Sequence, residues 1–413
     1  MRTPTLLFFL AVFGHAFAQW SITSAPSGAR KDDLFFIGAD TGWVACGGDG
    51  NILRTYNGGA SWQMVYSGAA YLRSIEFATP QVGFCGTLNG GFLKTTDGGN
   101  TWHDIANLMP PPVYVCGLCA ATPDVIFGVG VYHGPAYVVR SRDGGDTWTK
   151  TDLSSLASGL VDVYFLNADT GFIAGIALPP ARDGIILATT DGGDTWTERH
   201  RTGKLWDIVW KLQSPDGTHL YASLDASPGP TRYLRSADRG ATWVTDTISM
   251  DYTYVQVIGF LDTLHGWMGA DGTLLETVDG GGTWNEIPLG NSYDRFHRVN
   301  SSLAYMTGLG VYRYGDTSTG VSTPIAPQER EHVEVVPNPA TASASIQVEL
   351  LGRSRAQLVL FAADGRWSRT VYTGTVDAGA HTFPLDLTDL PAGTYYATLR
   401  TNQGLTCTPF VKQ

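Results

Sequence analysis

Eight side chains in this sequence could recognise a ligand by ring stacking or ion pairing, and each lies near the start of a predicted β-strand. Aromatic faces stack on sugar rings and peptide side chains, and arginine binds carboxylates through paired hydrogen bonds. If these strands all begin at one end of the fold, the side chains form one binding surface. The predicted ligand-binding residues are Arg73, Trp206, Asp207, Trp210, Tyr254, Arg295, His297 and Arg298.

Three carboxylates at similar positions, Asp162, Asp207 and Asp294, are candidates for acid–base chemistry. Glycoside hydrolysis needs two carboxyl groups about 5–10 Å apart across a pocket. Position alone selects these three, so no catalytic residue is assigned. Cys116 and Cys119 form a CxxC pair, but no second pair follows at zinc spacing. We predict neither a metal nor a cofactor, and we interpret the cysteines as structural, with a disulfide or a metal site as alternatives.

An octapeptide of the form [ST]-x-[DN]-x-G-x-[ST]-W recurs six times, with steps of about 40 to 48 residues. Such a spacing fits one four-stranded sheet per repeat. In a tight turn the Asp or Asn side chain accepts backbone N–H bonds, glycine permits a positive φ, and the tryptophan buries its ring. We therefore predict a structural role for Asn57, Trp62, Asp97, Trp102, Asp143, Trp148, Asp191, Trp196, Asp238, Trp243, Asp279 and Trp284.

This octapeptide resembles the Asp-box, or BNR repeat. Six copies are similar to the propellers of sialidases, xyloglucanases, sortilin-type receptors and photosystem II assembly factors, in which the box is a fold element and not a catalytic motif. Three further strand patterns follow the sixth octapeptide, at 296–300, 303–308 and 310–314. Residues 19–23 supply a fourth strand, with Trp20 in the place of the octapeptide tryptophan. We expect an all-β, seven-bladed propeller over residues 19–314, closed by its N-terminal strand, which leaves no exposed sheet edge.

Residues 1–18 have the pattern of a signal peptide: Arg2, an apolar run over 6–13, and the small-x-small ending Ala16-Phe17-Ala18. The apolar run is too short to span a bilayer, and no later segment is long enough. The net charge of −11 argues against a nucleic-acid partner, because such binding needs a basic surface. We predict a protein that leaves the cytoplasm and has no transmembrane segment.

A polar, turn-rich linker is predicted over residues 315–331, and short alternating strands over 332–413 indicate a small Ig-like β-sandwich. The motifs of this segment are Pro337-Asn338-Pro339, Asp364-Gly365-Arg366, Leu390 with Ala392-Gly393-Thr394-Tyr395, and the basic end at Lys412. It resembles the type A sorting domain of the type IX secretion system of Bacteroidetes-like bacteria. The resemblance implies passage through the periplasm, export across the outer membrane by the type IX machinery, and cargo released or anchored to surface lipopolysaccharide. The expected location is outside a Gram-negative cell or on its outer-membrane surface.

Three functions remain open for the propeller. The favoured hypothesis is a module that binds a glycan or a peptide at the central face, where aromatic and arginine side chains are predicted to gather. A sialidase-like or xyloglucanase-like hydrolase is the first alternative, although the Arg-Ile-Pro signature of sialidases is absent and xyloglucanases tend to pair two propellers. A non-catalytic scaffold, similar to the photosystem assembly factors, is the second.

Overall fold

The computed structural model describes residues 19–26, 28–111, 113–290, 292–315, 332–350, 352–362, 368–401 and 404–413. The predicted signal peptide, linker residues 316–331 and the Asp364-Gly365-Arg366 motif lie outside them. The chain divides into two compact units, residues 1–322 and 323–413. In the described part, no helix has the length and apolar character that crossing a membrane requires.

The first unit contains seven four-stranded antiparallel sheets, which confirms the predicted seven-bladed propeller. Sheet one comprises β2 (Lys31–Phe36), β3 (Gly42–Cys46), β4 (Asn51–Thr55) and β5 (Gln63–Ser67). Sheet two comprises β6 (Leu72–Phe77), β7 (Gly83–Thr87), β8 (Phe92–Thr95) and β9 (His103–Asp104). Sheet three comprises β10 (Gly117–Ala120), β11 (Ile126–Val129), β12 (Tyr137–Ser141) and β13 (Thr149–Asp152). A 3-10 turn at Ala106–Leu108 follows β9.

Sheet four comprises β14 (Ala157–Phe165), β15 (Gly171–Ala177), β16 (Asp183–Thr189) and β17 (Thr197–Leu205). Sheet five comprises β18 (Ile208–Gln213), β19 (Leu220–Asp225), β20 (Thr231–Ser236) and β21 (Val244–Ser249). Sheet six comprises β22 (Val257–Phe260), β23 (Gly266–Ala270), β24 (Thr273–Thr277) and β25 (Asn285–Glu286). The seventh sheet joins β26 (Phe296–Arg298), β27 (Ala304–Thr307) and β28 (Val311–Gly315) to β1 (Gln19–Ile22).

Burial along each sheet shows which strand lines the axis. The second strands β3, β7, β15 and β23 are buried throughout, whereas the fourth strands β5, β9 and β13 are largely exposed. The first strands of neighbouring sheets contact one another, and the ring is completed by contacts between β2 and β26. The first strand of every sheet therefore lines the centre, and the fourth lies at the outer wall.

The N-terminal strand closes the ring. β1 pairs antiparallel with β28, with Trp20 opposite Tyr314. The Trp20 ring packs edge-on against Trp267, with ring centres 5.1 Å apart. A strand from one end of the chain thus completes the sheet formed by the other end, which removes an unpaired edge.

The six octapeptides form six turns of one design between the third and fourth strands of sheets one to six; we call them the octapeptide turns. In the fourth of them the Thr189 hydroxyl accepts the Gly193 N–H at 2.9 Å and donates to the Asp191 carboxylate at 2.7 Å. That carboxylate accepts the Thr195 N–H at 2.9 Å and the Thr195 hydroxyl at 2.6 Å. Every octapeptide tryptophan meets an aromatic ring edge-on, with ring centres 5.7–6.2 Å apart.

Basic side chains just before the octapeptides join neighbouring sheets. The Arg54 guanidinium donates to the Gly98 carbonyl of the next turn at 3.0 Å. Arg140 repeats this contact on the Gly192 carbonyl at 2.7 Å. The second and fourth turns are therefore held both by their own side chains and by an arginine of the preceding sheet.

The second unit is a two-sheet β-sandwich. One sheet has the order β29 (His332–Val336), β30 (Ser343–Leu350) and β33 (Gly379–Asp386). The other has the order β32 (Ser368–Val376), β31 (Ser354–Ala362), β34 (Gly393–Thr401) and β35 (Gly404–Lys412). Alternate residues of β30 are buried, as a sheet with one face on a core requires, and the core includes Ile346, Leu358 and Leu399.

Two motifs predicted from the sequence meet in this sandwich. The Asn338 side-chain oxygen accepts the Val411 N–H at 3.0 Å, and the Ala340 N–H donates to the Val411 carbonyl at 2.8 Å. The Tyr395 hydroxyl donates to the Pro391 carbonyl at 2.9 Å. The Pro-Asn-Pro segment therefore anchors the last strand of the chain.

Candidate functional site

The strand order gives the propeller two different faces. In an antiparallel four-stranded sheet, the first strand begins at the edge where the second-to-third loop lies and where the fourth strand ends. We call this edge the upper face. The octapeptide turns, between the third and fourth strands, lie at the opposite edge, the lower face.

The strands that line the centre are irregular near the upper face. Four of them carry a β-bulge, at Asp32, Arg73, Val161 and residues 210–211. A bulge adds one residue to a strand and re-aims its side chains, and bulges are common next to active sites. Asp32 and Arg73, from adjacent sheets, are thereby turned toward each other.

The outer part of the centre is an ion cluster around Asp32. Its carboxylate accepts a short hydrogen bond from Arg73 and one of 3.3 Å from the Tyr71 hydroxyl. Arg30 bridges Asp32, at 3.4 Å, and the buried Asp294. Burial raises the pKa of Asp294 to about 6, against the opposing charge of Arg30. The Arg30 side chain, 38% exposed, makes this cluster accessible from solvent.

A second cluster lies deeper, around Arg295. Its guanidinium donates to both oxygens of Asp162, at 2.9 and 3.0 Å, and lies 3.3 Å from Asp33. Asp33 also accepts the Ile75 N–H at 3.0 Å, and Asp162 accepts the Leu212 N–H at 2.9 Å. Arg295 therefore links three first strands through acids that also tie each sheet to the next one.

Lys211 completes the deep cluster. Its side chain is 3% exposed, and its ammonium lies 4.0 Å from Asp162, beyond hydrogen-bonding distance. Burial lowers the Lys211 pKa, and Arg295 and Arg73 lower it further, while Asp162 raises it. Burial likewise raises the pKa of Asp33 despite the nearby Arg295. We call the two clusters together, with Glu76, the central network.

Side chains at one repeated position join neighbouring first strands. Gln213 bonds both backbone groups of Phe260, at 3.0 and 3.1 Å. His297 Nε2 lies 3.0 Å from the Phe36 carbonyl oxygen and 3.3 Å from its amide nitrogen. Burial lowers the His297 pKa to about 4, so the ring is neutral at physiological pH. The His297 side chain is thus committed to joining the last sheet to the first.

Glu76 occupies the corresponding place in the second sheet, where it accepts the Ala120 N–H at 3.3 Å. Burial raises its pKa to about 8, with Arg295 acting in the opposite direction. The sequence analysis did not select Glu76 or Lys211. Both lie on first strands: Glu76 lies two residues after the buried Ser74, and Lys211 lies two residues before Gln213. Because alternate residues of a strand point to the same side, this spacing was the signal that could have found them.

Aromatic side chains lie on the upper face of sheets three to six. Trp206 is 55% exposed, Tyr132 49% and Tyr252 42%. Trp210 is half-buried and packs against Tyr132, with ring centres 5.8 Å apart. The Tyr254 hydroxyl donates to Gln256 at 2.9 Å. This face therefore offers ring surfaces to solvent next to charged groups.

The structure brings some of the eight predicted ligand-binding residues together and separates others. Arg73 and Arg295 both belong to the central network. Asp207 is buried, and one guanidinium nitrogen of Arg232 donates to both of its carboxylate oxygens, at 2.7 and 2.9 Å. Arg298 donates to the Leu261 carbonyl at 2.6 Å. Ligand binding by these residues stays a prediction.

The described residues contain no group of three or more side chains suited to holding a metal ion. Cys46, Cys85, Cys116 and Cys119 are free thiols, so Cys116 and Cys119 do not pair with each other. Burial raises the Cys119 pKa well above its usual range. Cys119 is half-buried, and a thiol with a raised pKa of this kind is unreactive and acts as a small apolar residue.

The fold and this site define the class of protein: a single seven-bladed propeller with a charged centre, followed by a β-sandwich domain. Residues 334–413 match the secretion system C-terminal sorting domain family. The sorting domain indicates a secreted or cell-surface protein that is handled by the type IX secretion system.

Solved structures confirm the propeller fold. The structure of YCF48 bound to D1 peptide is 16% identical with a TM-score of 0.56, covering 72% of this chain and 96% of that one. PorZ, a type-IX secretion surface component of Porphyromonas gingivalis, is 14% identical with a TM-score of 0.51, covering 95% and 61%. The GH74 enzyme of Niastella koreensis is 14% identical with a TM-score of 0.55, covering 94% and 73%. At these identities the likeness establishes the fold alone. No curated protein sequence matches the chain.

Proposed function

We propose that this protein is a non-catalytic recognition module that binds a glycan or a peptide at the upper face of its propeller. It reaches the periplasm through the signal peptide at residues 1–18. The sorting domain then directs export by the type IX machinery, after which the propeller is released or anchored to surface lipopolysaccharide.

One observation carries this proposal: exposed aromatic rings lie on the same face as a centre whose carboxylates are already engaged. Asp162 is bound to Arg295, Asp207 to Arg232 and Asp294 to Arg30. These were the candidates for acid–base catalysis, and an arginine holds each of them. Exposed rings beside cations suit stacking and ion pairing with a ligand instead.

The structural neighbours support both ligand classes. YCF48 has been solved with a bound peptide, which supports a peptide ligand for a propeller of this fold. The GH74 xyloglucanase of Xanthomonas campestris shares the fold as well, which supports a glycan ligand.

The test is a glycan and peptide array probed with the purified protein, followed by a hydrolysis assay on every hit. Tyr132→Ala, on the upper face, should weaken binding about tenfold or more. Tyr56→Ala is the matched control, since Tyr56 is 58% exposed but lies in the first octapeptide on the lower face. Equal loss in both variants, or no loss in either, would place the binding site elsewhere.

A hydrolase is the second candidate, because Asp294 has a pKa raised to about 6 and shares Arg30 with Asp32. A carboxyl group with a raised pKa close to a second carboxyl group is an arrangement that glycosidases use. Turnover that Asp294→Asn abolishes while binding persists would replace the recognition proposal with this one. A blank on both assays would favour the scaffold hypothesis.

A further inference from the structure

The fourth sheet of the propeller is taller than the other six. Its strands have 9, 7, 7 and 9 residues, whereas no strand of the other sheets exceeds 6. The third strands of sheets one to six all end at the first residue of an octapeptide, as β16 does at Thr189. The extra length of β16 therefore extends in the opposite direction, and the sheet projects from the upper face.

The tip of this projection holds an exposed indole in a constrained backbone. Residues 204–207 form a turn closed by the Asp207 N–H on the Lys204 carbonyl at 3.2 Å, and the Trp206 N–H donates to the Arg182 carbonyl at 3.0 Å. Trp206 has φ of 71° and Arg182 has φ of 42°. Of the described non-glycine residues, only Arg239 shares this property. Strain of this kind collects at functional sites, where the surrounding structure enforces it.

The guanidinium of Arg182 lies over the indole ring of Trp206, 5.2 Å from its centre. This contact and the hydrogen bond between the two backbones join the loop before β16 to the turn after β17. The indole and the guanidinium are thus presented together as one surface, with the Trp206 side chain more than half exposed. Leu205, next to it, is 53% exposed.

The tip presents positive charge because its acids are occupied. Asp183 is bonded to Arg201 and to the Gly203 N–H, and Asp207 is paired with Arg232. Among the described residues, Arg182 and Lys204 make no ion pair with a carboxylate within 4.0 Å. The whole chain carries a net charge of −11, so an exposed pair of free cations beside an indole runs against the general character of the molecule.

We propose that the tip of the fourth sheet binds an acidic polysaccharide, a chain of sugar rings that carry carboxylates. The apolar face of a sugar ring stacks on the Trp206 indole, and neighbouring carboxylates pair with Arg182 and Lys204. This inference rests on the proposed function and specifies its ligand class. It places the ligand on a projecting edge rather than in the central network.

The direct test is to titrate the purified protein with polygalacturonate and alginate fragments of fixed length. Calorimetry and tryptophan fluorescence measure the binding. We expect binding of at least one of them that weakens as salt rises, since ion pairs between exposed groups are screened. The same fragments with their carboxylates reduced to alcohols should bind at least tenfold more weakly. Polyglutamate, an acidic peptide, should not compete.

Trp206→Gly is the informative variant, because glycine accepts a positive φ without strain and the fold should tolerate the change. It should lower affinity at least tenfold, and Arg182→Gln and Lys204→Gln several-fold each. Arg239→Gly is the matched control: it relieves the same backbone strain at φ of 61°, but in the fifth octapeptide turn on the lower face. Its affinity should equal that of the unaltered protein.

Three results would overturn the inference: equal binding of the reduced fragments, preference for polyglutamate, or unchanged affinity in Trp206→Gly. Binding of neither acidic polysaccharide would overturn it as well. In each of those cases, the proposed function would still hold if the glycan and peptide array gave ligands whose binding Tyr132→Ala weakens. An array without any bound ligand would contradict both the proposed function and this inference.

Discussion

The two faces of the propeller belong to the same sheets, but local hydrogen bonds stabilise one and ion pairs between distant residues stabilise the other. On the lower face, six turns repeat one set of local hydrogen bonds, and each Asp or Asn lies within four residues of its partners. At the centre of the upper face, Arg295 binds Asp162, which is 133 residues away in the chain. A repeated local motif can be copied without adjustment, whereas a network of single residues has to be assembled across sheets.

The carboxylates of the two regions respond oppositely to their surroundings. In the octapeptide turns the backbone N–H of Thr101 and the hydroxyl of Thr147 hold the pKa of Asp97 and of Asp143 near 2. In the centre, burial raises the pKa of Glu76 to about 8 and of Asp294 to about 6. Exposed acids with several donors favour the charged form, and buried acids with few donors oppose it.

The largest effect is expected from Arg295→Leu. The change leaves Asp33 and Asp162 buried without their guanidinium, and removing one partner of a buried ion pair costs about 3–5 kcal/mol. Urea unfolding followed by tryptophan fluorescence measures this loss. Arg142→Leu removes the same charge from the lower face, where its side chain is 55% exposed, and should cost less than about 1 kcal/mol. Similar losses in the two variants would break the contrast between the faces.

Thr189→Val tests the lower face at its buried hydroxyl. The substitution keeps the shape but leaves the buried Gly193 N–H without an acceptor, a loss of about 1–3 kcal/mol in the free energy of unfolding. Thr195→Val is the control in the same turn, because the Thr195 hydroxyl is exposed and water can replace it. A larger loss in Thr195→Val would mean that the carboxylate side of the turn, rather than its buried hydroxyl, stabilises it.

Stability should fall at both ends of the pH range, and for a different reason at each. The turn aspartates have folded-state pKa values below the ordinary 3.8, so their contribution is present above that pH and is lost as pH falls toward 2. Glu76 has a raised pKa, so its contribution is present at low pH and is lost as pH rises from about 4.5 to about 8. For Glu76, one proton accounts for at most about 1.4 kcal/mol per pH unit.

The variant Glu76→Gln separates the loss of stability at neutral and higher pH from the loss at low pH. Unfolding measured across pH 3 to 9 should lose the Glu76 part of the decline at neutral and higher pH and keep the acidic one, because glutamine does not titrate. An unchanged slope between about pH 5 and 8 would show that Glu76 ionises normally in the folded protein.

The smallest effect is expected from Arg140→Gln, on the bond between neighbouring lower-face turns. The change removes the donor to the Gly192 carbonyl and the contact with Asp194 at 2.9 Å. Asp194 keeps Arg142 at 2.8 Å, so the loss should stay below about 1 kcal/mol. Thermal unfolding measures it, and a loss above about 2 kcal/mol would show that contacts between turns matter as much as the central network.

The sequence could predict most of the fold but only part of the site. Six octapeptides and three added strand patterns were sufficient to predict seven sheets, because each octapeptide marks the same place in its sheet. Arg73 and Arg295 were selected since they begin first strands, and both lie in the central network. Trp206 was selected with them, yet it lies at the tip of a taller sheet, because strand length beyond the repeat is not visible in the motif.

Local pattern determined the turns and the alternation of the strands, because hydrogen bonds within an octapeptide and burial along a strand depend on neighbouring residues. Only the tertiary structure decided which charges meet. His297 was selected as a ligand-binding residue, and only ring closure shows that its ring contacts the Phe36 backbone. Asp32 meets Arg73 because bulges in two adjacent strands turn both side chains together. Pairings of this kind follow from the register and circular order of the sheets, which the residues on any one strand do not encode.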